Sequence, residues 1–180
     1  MYDNGVARTT LDDVGTAAGV GRSQLYHYFA GKSDLVGAVI DFQIDAVISA
    51  QDPELVSWDA WLHWRDRTVL AHGAAHGMSG CPIGSLASEL ADIDEPARER
   101  LVAGFAGWEA VFRSGLERMV ENGALRSTAD PATLATSVLA SLQGGLLLCR
   151  LERSTAPLEA ALDAALAHLR CFGAADTAAA

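Results

Sequence analysis

The sequence predicts an all-α protein of about eight helices, and three observations favour that fold class. Alanine is abundant and the 180 residues contain five prolines, a composition that favours helix over strand. Apolar residues recur at helical spacing between capping residues and glycine stops, and no segment shows the two-residue alternation of a strand. Half of the residues are hydrophobic, yet no run of 18 apolar residues and no cleavable leader is present, so we expect a soluble cytoplasmic protein.

Three helices are predicted near the N-terminus, over residues 11–18, 21–30 and 34–49. Thr10 can cap the first helix, and Asp13 three residues later completes a short-armed capping box. Gly19 ends this helix. The third helix presents a long apolar face and ends before the break at Asp52-Pro53.

Five further helices are predicted over residues 58–74, 85–91, 97–121, 131–151 and 157–172. A glycine-rich stretch separates the first two, and Asn122-Gly123 stops the third. Asp130-Pro131 opens the fourth. We therefore expect two domains, residues 1–45 and residues 46–175.

Charge is unevenly distributed along the chain. The net charge of −10 argues against nucleic-acid binding through bulk positive charge. Residues 1–40 nevertheless carry three basic and four acidic side chains, a net charge of −1, while the remaining 140 residues carry ten basic and nineteen acidic ones. The stretch GVGRSQLYHYFAGKSDL, residues 19–35, gathers aromatic rings and two cations, which favours a few local phosphate contacts over a general basic patch.

The first two predicted helices form a helix-turn-helix pattern joined by Ala18-Gly19-Val20. Gly19 supplies the backbone conformation of the turn, and Leu25 and Phe29 face inward. The polar side chains left on the outer face can read base edges or hold phosphates in a major groove. The pattern alone leaves a second interpretation open, an ordinary amphipathic helix pair whose outer residues are merely solvated.

Residues 9–35 resemble the DNA-binding segment of the TetR family of bacterial repressors, whose pattern reads roughly T-x-x-x-I-A-x-x-A-G-V-S-x-x-x-L-Y-x-H-F-x-x-K-x-x-L. The matching positions are Thr10, Val14, Ala18, Gly19, Val20, Leu25, Tyr26, Phe29, Lys32 and Leu35. The segment GCPIGSLASELAD resembles the subgroup of LmrA and QacR-like multidrug-responsive repressors. The resemblance implies that a helical ligand-binding and dimerisation domain follows the helix-turn-helix.

The resemblance also implies a role for each polar side chain of the motif. Base-reading or groove-facing positions are taken by Arg22, Ser23, Gln24 and Tyr26, and backbone-touching positions by Tyr26, His27 and Tyr28. Thr10 and Lys32 lie near helix N-termini and are expected to hold phosphates through amide groups and charge. Arg22 is the candidate for a bidentate contact with guanine.

Two departures from the family pattern have consequences. The family has a further helix ahead of the position of Gly5, whereas here only MYDN precedes it. Without that helix, Leu11, Val14 and Leu25 are expected to expose apolar area. Gly15 stands where the family commonly places alanine, which costs up to ~1 kcal/mol of helix propensity.

Aromatic and sulfur-containing side chains of the second domain suggest a cavity for a small hydrophobic or aromatic inducer, which the resemblance also implies. The candidate ligand contacts are Trp61, Met78, Phe105, Trp108, Phe112, Met119 and Gln143. A filled hydrophobic core is the alternative interpretation of the same stripes. Trp58, Trp61 and Trp64, at i, i+3 and i+6, cannot all point into one place.

No catalytic, metal or cofactor site is predicted. His72 and His76 have a spacing that can share a metal, with Cys81 nearby, but glycines make the stretch a poor cage and no fourth ligand follows. Cys81 is either a reactive thiol or, as we expect, a small buried apolar residue. The three cysteines form no disulfide framework, and no Walker, dinucleotide or nucleophile-elbow pattern occurs.

The last two predicted helices, 131–151 and 157–172, are rich in small and apolar residues. The resemblance implies that they pair with a second copy in a four-helix bundle, and an intramolecular core is the alternative. The sequence therefore predicts a homodimeric repressor that binds a palindromic operator and is released by an inducer, with helix 34–49 as the lever. The alternatives are a small-molecule binding protein of repressor descent that no longer binds DNA, and an enzyme that uses Cys81.

Overall fold

The computed structural model describes residues 5–51, 54–74 and 80–174, and within these ranges the chain forms eight α-helices. They are α1 (Leu11–Ala18), α2 (Arg22–Tyr28), α3 (Lys32–Ser49), α4 (Trp58–Ala74), α5 (Pro82–Leu90), α6 (Glu95–Glu121), α7 (Pro131–Glu152) and α8 (Ala156–Arg170). The described residues contain no strand beyond an isolated bridge between Leu125 and Gly173, so the all-α class is confirmed. α5 begins at Pro82 rather than Ser85, because proline is favoured at the first helical position.

Local capping fixes both ends of α1. The Thr10 hydroxyl oxygen accepts a hydrogen bond from the Asp13 amide at 3.1 Å, and the Asp13 carboxylate accepts one from the Thr10 amide at 2.8 Å. Gly19 ends the helix with a φ of 67°, in the left-handed region that favours glycine. Gly15 is buried, and a Cβ there would lie 3.2 Å from the carbonyl oxygen of Val20, so glycine lets the turn close against α1.

One compact unit consists of the described part of Met1–Val47 together with Pro82–Phe105. It therefore contains α5 and the first part of α6, which lie within the second domain predicted from the sequence. α3 and α6 approach closely at Gly104, where a Cβ would lie 2.4 Å from Ile44 Cδ1. The contact between these two helices explains why a segment distant in sequence joins the helix-turn-helix.

The other compact unit consists of the described part of Ile48–Cys81 together with Ala106–Ala180. α7 and α8 supply much of its core, through eight and five buried residues respectively. Their backbones approach at Gly145, where a Cβ would lie 2.9 Å from Leu158 Cα, whereas Gly144 faces open space. Close approach of α8 therefore explains the glycine at 145 but not the glycine at 144.

Among the described residues, α7 is the one helix long and apolar enough to cross a membrane by length and composition. In its most hydrophobic window 44% of the residues are buried inside the protein. The core helix of a soluble protein meets the same criteria, so composition alone does not make α7 a membrane span.

Candidate nucleic-acid interface and ligand-binding core

Most of the predicted DNA-contacting side chains lie together on the exposed side of α2. The helix buries Leu25 and leaves six side chains exposed, which we call the recognition face: Arg22, Ser23, Gln24, Tyr26, His27 and Tyr28. All except Arg22 line an open depression that begins at Gly21. Tyr26 and Tyr28 are 44% and 71% exposed, so this helix holds these aromatic residues at the surface.

Arg22 has two neighbours in the structure. Its Nε lies 3.5 Å from Oδ1 of Asp12 on α1, and its Cζ lies 5.6 Å from the ring centroid of Tyr26. The interaction with the Tyr26 side chain raises the pKa of Arg22 most, and the charge of Asp12 raises it further. The sequence predicts roles for Arg22 and Tyr26 but not for Asp12, because the turn at Gly19 brings α1 and α2 together only in three dimensions.

Thr10 is committed to the cap of α1. Its hydroxyl donates a hydrogen bond to the Asp13 carboxylate at 2.7 Å, and its amide donates to the same carboxylate. These bonds, the hydroxyl bond first, lower the pKa of Asp13. Since both polar groups already have partners, the predicted phosphate contact of Thr10 stays a prediction.

A turn ahead of α1 is held by a carboxylate from α5. Glu89 accepts hydrogen bonds from the amides of Val6 and Ala7, at 2.9 and 3.0 Å. These two bonds lower the pKa of Glu89, and the charge of Lys32 contributes as well. Gly5 has a φ of 77° and a Cβ there would lie 2.8 Å from Glu89 Oε1, so the turn requires glycine at this position.

Lys32, the first residue of α3, lies against the same turn. Its Nζ is 3.5 Å from the Ala7 carbonyl oxygen, which is long for a hydrogen bond, and the side chain is partly buried. The sequence predicts a role for Lys32 but none for Glu89. No local signal could reveal Glu89, since its partners lie 82 and 83 residues away in the chain.

The expected exposure of apolar side chains in the motif is corrected at one position. Leu25 is buried, at 7% exposure, because other residues of this chain cover it. Leu11 and Val14 are partly exposed. The helix-turn-helix therefore retains its central apolar contact.

Four aromatic side chains of the second unit form what we call the aromatic cluster, Trp61, Trp64, Trp108 and Phe112. The Phe112 ring centroid lies 5.7, 5.1 and 6.3 Å from those of Trp61, Trp64 and Trp108, in tilted or edge-on arrangements. All four residues are at most 4% exposed. Trp58 lies apart, its ring 5.7 Å from the Arg170 guanidinium, so the prediction that the three tryptophans of α4 do not converge is confirmed.

The structure brings together only part of the predicted ligand set. Trp61, Trp108 and Phe112 share the aromatic cluster, and Met119 is fully buried in the same unit. Phe105 is partly exposed and belongs to the other compact unit, since the boundary falls inside α6. Met78 lies outside the described residues.

Two buried hydrogen-bond donors in this unit lack partners within the described part of the chain, Trp61 Nε1 and Gln143 Nε2. Trp64, by contrast, donates from Nε1 to Gln51 Oε1 at 3.1 Å. Buried donors are almost always paired, and leaving one unpaired costs about 1–3 kcal/mol. An acceptor atom beside Trp61 or Gln143 would therefore be stabilising.

The cysteines and histidines of the described residues are predicted to form no metal site, and two of the cysteines are buried. Cys81 and Cys149 are buried, and burial raises the pKa of Cys149. In the ranges that the structure covers, no three metal-ligating side chains come together, and His76 lies outside those ranges. The burial of Cys81 agrees with its expected role as a small apolar residue.

The outer sides of α7 and α8 present small and apolar side chains, which we call the bundle face. On α7 the exposed residues include Gly144, Leu147, Leu148 and Leu151, and on α8 they include Ala160, Ala164 and Ala167. Leu147 and Leu151 are 59% and 71% exposed. The spacing places each set on one side of its helix.

Two segments of the chain match known protein families. Residues 1–39 match the family described as "Bacterial regulatory proteins, tetR family". Residues 58–165 match "Tetracyclin repressor-like, C-terminal domain".

Individual transcriptional regulators are also similar to this chain. An HTH-type transcriptional regulator of Mycobacterium tuberculosis is 31% identical over 168 residues, which cover 88% of this chain and 82% of that protein. The repressor NemR of Escherichia coli K12 is 29% identical over 159 residues, 84% of this chain and 79% of NemR. The crystal structure of the reduced form of E. coli NemR superposes with a TM-score of 0.81 at 27% identity, covering 98% of this chain and 92% of that one.

Proposed function

Since the chain belongs to the TetR family of bacterial transcriptional regulators, we propose that it is a ligand-responsive repressor. It binds a palindromic DNA operator as a homodimer and is released by a small hydrophobic or aromatic inducer. The protein is cytoplasmic and acts by binding, without catalysis. The observation that carries the proposal is the recognition face, where one short helix exposes six polar and aromatic side chains and buries one leucine.

The recognition face suits a major groove. Arg22 offers two parallel donors to guanine, and Ser23 and Gln24 offer both donors and acceptors to base edges. Exposed tyrosines and His27 can pack against sugar and donate to phosphate. Because the chain is acidic overall, affinity depends on these few contacts and not on a general basic surface.

The test is a gel-shift and anisotropy titration on duplex DNA from the region upstream of the chain's own gene. Arg22→Ala is expected to lower affinity for the specific duplex by about 5- to 100-fold and to leave random duplex nearly unchanged. Lys32→Ala is expected to weaken both duplexes by a similar factor and to reduce the salt slope by about one. Equal losses on both duplexes for Arg22→Ala would contradict this division of roles.

One observation favours a second function, a small-molecule binding protein of repressor descent that does not bind DNA. Thr10, a predicted phosphate contact, has its amide and hydroxyl bonded to Asp13, and that carboxylate occupies the N-terminus of α1. If no duplex is retarded while the chain stays folded and binds a ligand, this second function is supported instead.

The aromatic cluster supports a class of inducer. Flat apolar molecules pack well against tryptophan and phenylalanine. The donors at Trp61 and Gln143, which have no partner among the described residues, favour an acceptor such as a carbonyl oxygen. We therefore expect neutral aromatic carbonyl compounds to bind. Trp61→Phe retains a ring and removes the donor, so it is expected to weaken binding about 5- to 10-fold, whereas Trp58→Phe is the matched control. The measurement is quenching of tryptophan emission, and equal affinities for both variants would contradict the role of Trp61.

Inducer and operator are expected to oppose each other. Thermodynamic linkage requires that each lowers the affinity for the other by the same factor, typically about 5- to 150-fold. Ligand titrations followed by tryptophan quenching, with and without the duplex, measure this factor. Identical ligand curves would rule out coupling.

The bundle face supports dimerisation. Its leucines are large, exposed and on one side of α7, and a single recognition helix reads too few base pairs for specific binding. The double variant Leu147→Glu with Leu151→Glu is expected to be monomeric by sedimentation analysis. Leu70→Glu, at an equally exposed leucine of α4, is the control and is expected to keep the wild-type mass.

A further inference from the structure

Asp12 has a position that the proposed function leaves unexplained. Its Oδ1 lies 3.5 Å from Arg22 Nε, and the two side chains are 64% and 69% exposed. A pair this exposed contributes little to folding. A carboxylate beside the recognition face also repels DNA phosphates, so it weakens binding to duplex of any sequence.

The geometry of the contact accounts for an acid at this site. The contact joins Asp12 Oδ1 to Nε of the guanidinium, and a contact at Nε does not itself use the two Nη donors. A bidentate contact with O6 and N7 of guanine needs two parallel donors, and the Nη edge supplies them. The Tyr26 ring, 5.6 Å from Arg22 Cζ, restricts the same group further.

We propose that Asp12 is a specificity-determining positioning residue, which orients Arg22 toward one guanine of the operator. This rests on the proposed function. On the correct site the guanine contact of the oriented Arg22 offsets the repulsion between Asp12 and the phosphates. On other sequences that guanine contact is lost and the repulsion remains, so Asp12 acts against non-specific duplex.

The experiment uses two probes, the duplex that the full chain enriches from a random-sequence library and a scrambled version of it. Asp12→Asn is expected to raise affinity for the scrambled duplex by about 2- to 5-fold and to lower the ratio of specific to scrambled affinity by about 10-fold. Replacing guanines one by one with 7-deazaguanine removes N7. At one position this replacement is expected to lower the affinity of the wild-type chain strongly and that of Asp12→Asn less. The affinity of Arg22→Ala is expected to stay unchanged.

Three controls separate positioning from charge and from folding. In the Arg22→Ala background, Asp12→Asn is expected to raise affinity for both probes by one common factor. Asp12→Glu keeps the charge, so affinity for the scrambled duplex is expected to stay at the wild-type level. Asp59→Asn removes a similarly exposed first-turn acid from α4 and is expected to leave the ratio unchanged.

Failure of the inference differs from failure of the proposed function. If no duplex is enriched, the proposed function is overturned. If a duplex is enriched but Asp12→Asn changes both affinities by one factor with Arg22 present, only the inference about Asp12 is overturned.

Discussion

The helix-turn-helix and the α7–α8 pair are built in opposite ways. α1 and α2 contain 8 and 7 residues and bury one residue each. α7 and α8 contain 22 and 15 residues and bury eight and five. The α7–α8 pair is held by its own core, whereas the helix-turn-helix depends on caps, on the Glu89 turn and on neighbouring helices. Side chains of α2 that stay exposed for a partner molecule cannot also be buried in a core.

Aromatic residues allow the two regions to be followed separately. All three tyrosines lie within residues 1–28, and all four tryptophans lie within residues 58–108. Tryptophan emission therefore reports the unit that contains α7 and α8. Fluorotyrosine resonances in ¹⁹F NMR report the region of the helix-turn-helix.

Phe112→Ala is expected to have the largest effect on stability. Phe112 is fully buried and touches three tryptophan rings, so its removal leaves a cavity that costs about 3–5 kcal/mol in the free energy of unfolding. Urea unfolding followed by tryptophan emission measures the loss. Leu70→Ala, at a leucine 72% exposed, is the control and should change stability by less than about 0.5 kcal/mol. A small loss for Phe112→Ala would mean that the aromatic cluster is not tightly packed.

Removal of the Glu89 turn is expected to act on the helix-turn-helix. Glu89→Ala leaves the amides of Val6 and Ala7 without their carboxylate and is expected to cost about 1–2 kcal/mol. Fluorotyrosine signals should broaden at lower urea concentration than in wild type. Ser88→Ala, at the exposed neighbouring position of α5, is the control. Simultaneous loss of tyrosine and tryptophan signals would show that the two regions unfold as one.

The same carboxylate predicts a pH dependence. The pKa of Glu89 is lower in the folded chain than its ordinary value of about 4.5, because the ionised form accepts both amide bonds. Its contribution is therefore complete above pH 4.5 and is lost as the pH falls through the lower folded value. The difference in stability between wild type and Glu89→Gln should shrink on acidification through that range. A difference that stays constant would contradict the assignment.

The two adjacent glycines of α7 offer a matched pair. Gly145→Ala forces a Cβ against Leu158 Cα and is expected to cost about 1 kcal/mol net. Gly144→Ala has open space within the chain and is expected to gain up to about 1 kcal/mol from helix propensity. In the monomeric background of Leu147→Glu with Leu151→Glu, where the bundle face is unpaired, thermal unfolding should rank Gly144→Ala above its parent and Gly145→Ala below it. The reverse ranking would contradict the close contact of α7 with α8.

Gly15→Ala is expected to have the smallest effect. Alanine gains up to about 1 kcal/mol of helix propensity in α1, but its Cβ would lie 3.2 Å from the Val20 carbonyl oxygen. The two effects nearly cancel, and the net change should be within about 0.5 kcal/mol. Fluorotyrosine-detected unfolding measures it. A gain close to the full propensity value would mean that the turn relaxes without cost.

Sequence by itself determined the helices and the recognition face, because both depend on residues close together in the chain. Capping at Thr10, the stop at Gly19 and the single inward leucine of α2 follow from helical periodicity. The same local rules cannot say which tryptophans of α4 are buried with Phe112, or which of Gly144 and Gly145 meets another helix.

Only the tertiary structure decided the contacts that cross the sequence. Glu89 meets amides more than 80 residues away, Asp12 meets Arg22 across a turn, and α5 joins the unit of the helix-turn-helix. These contacts depend on how helices pack, and packing depends on the shapes of many side chains at once. A hydrogen bond or an ion pair between distant residues leaves no periodic signal, so it appears only when the folded chain brings its two partners together.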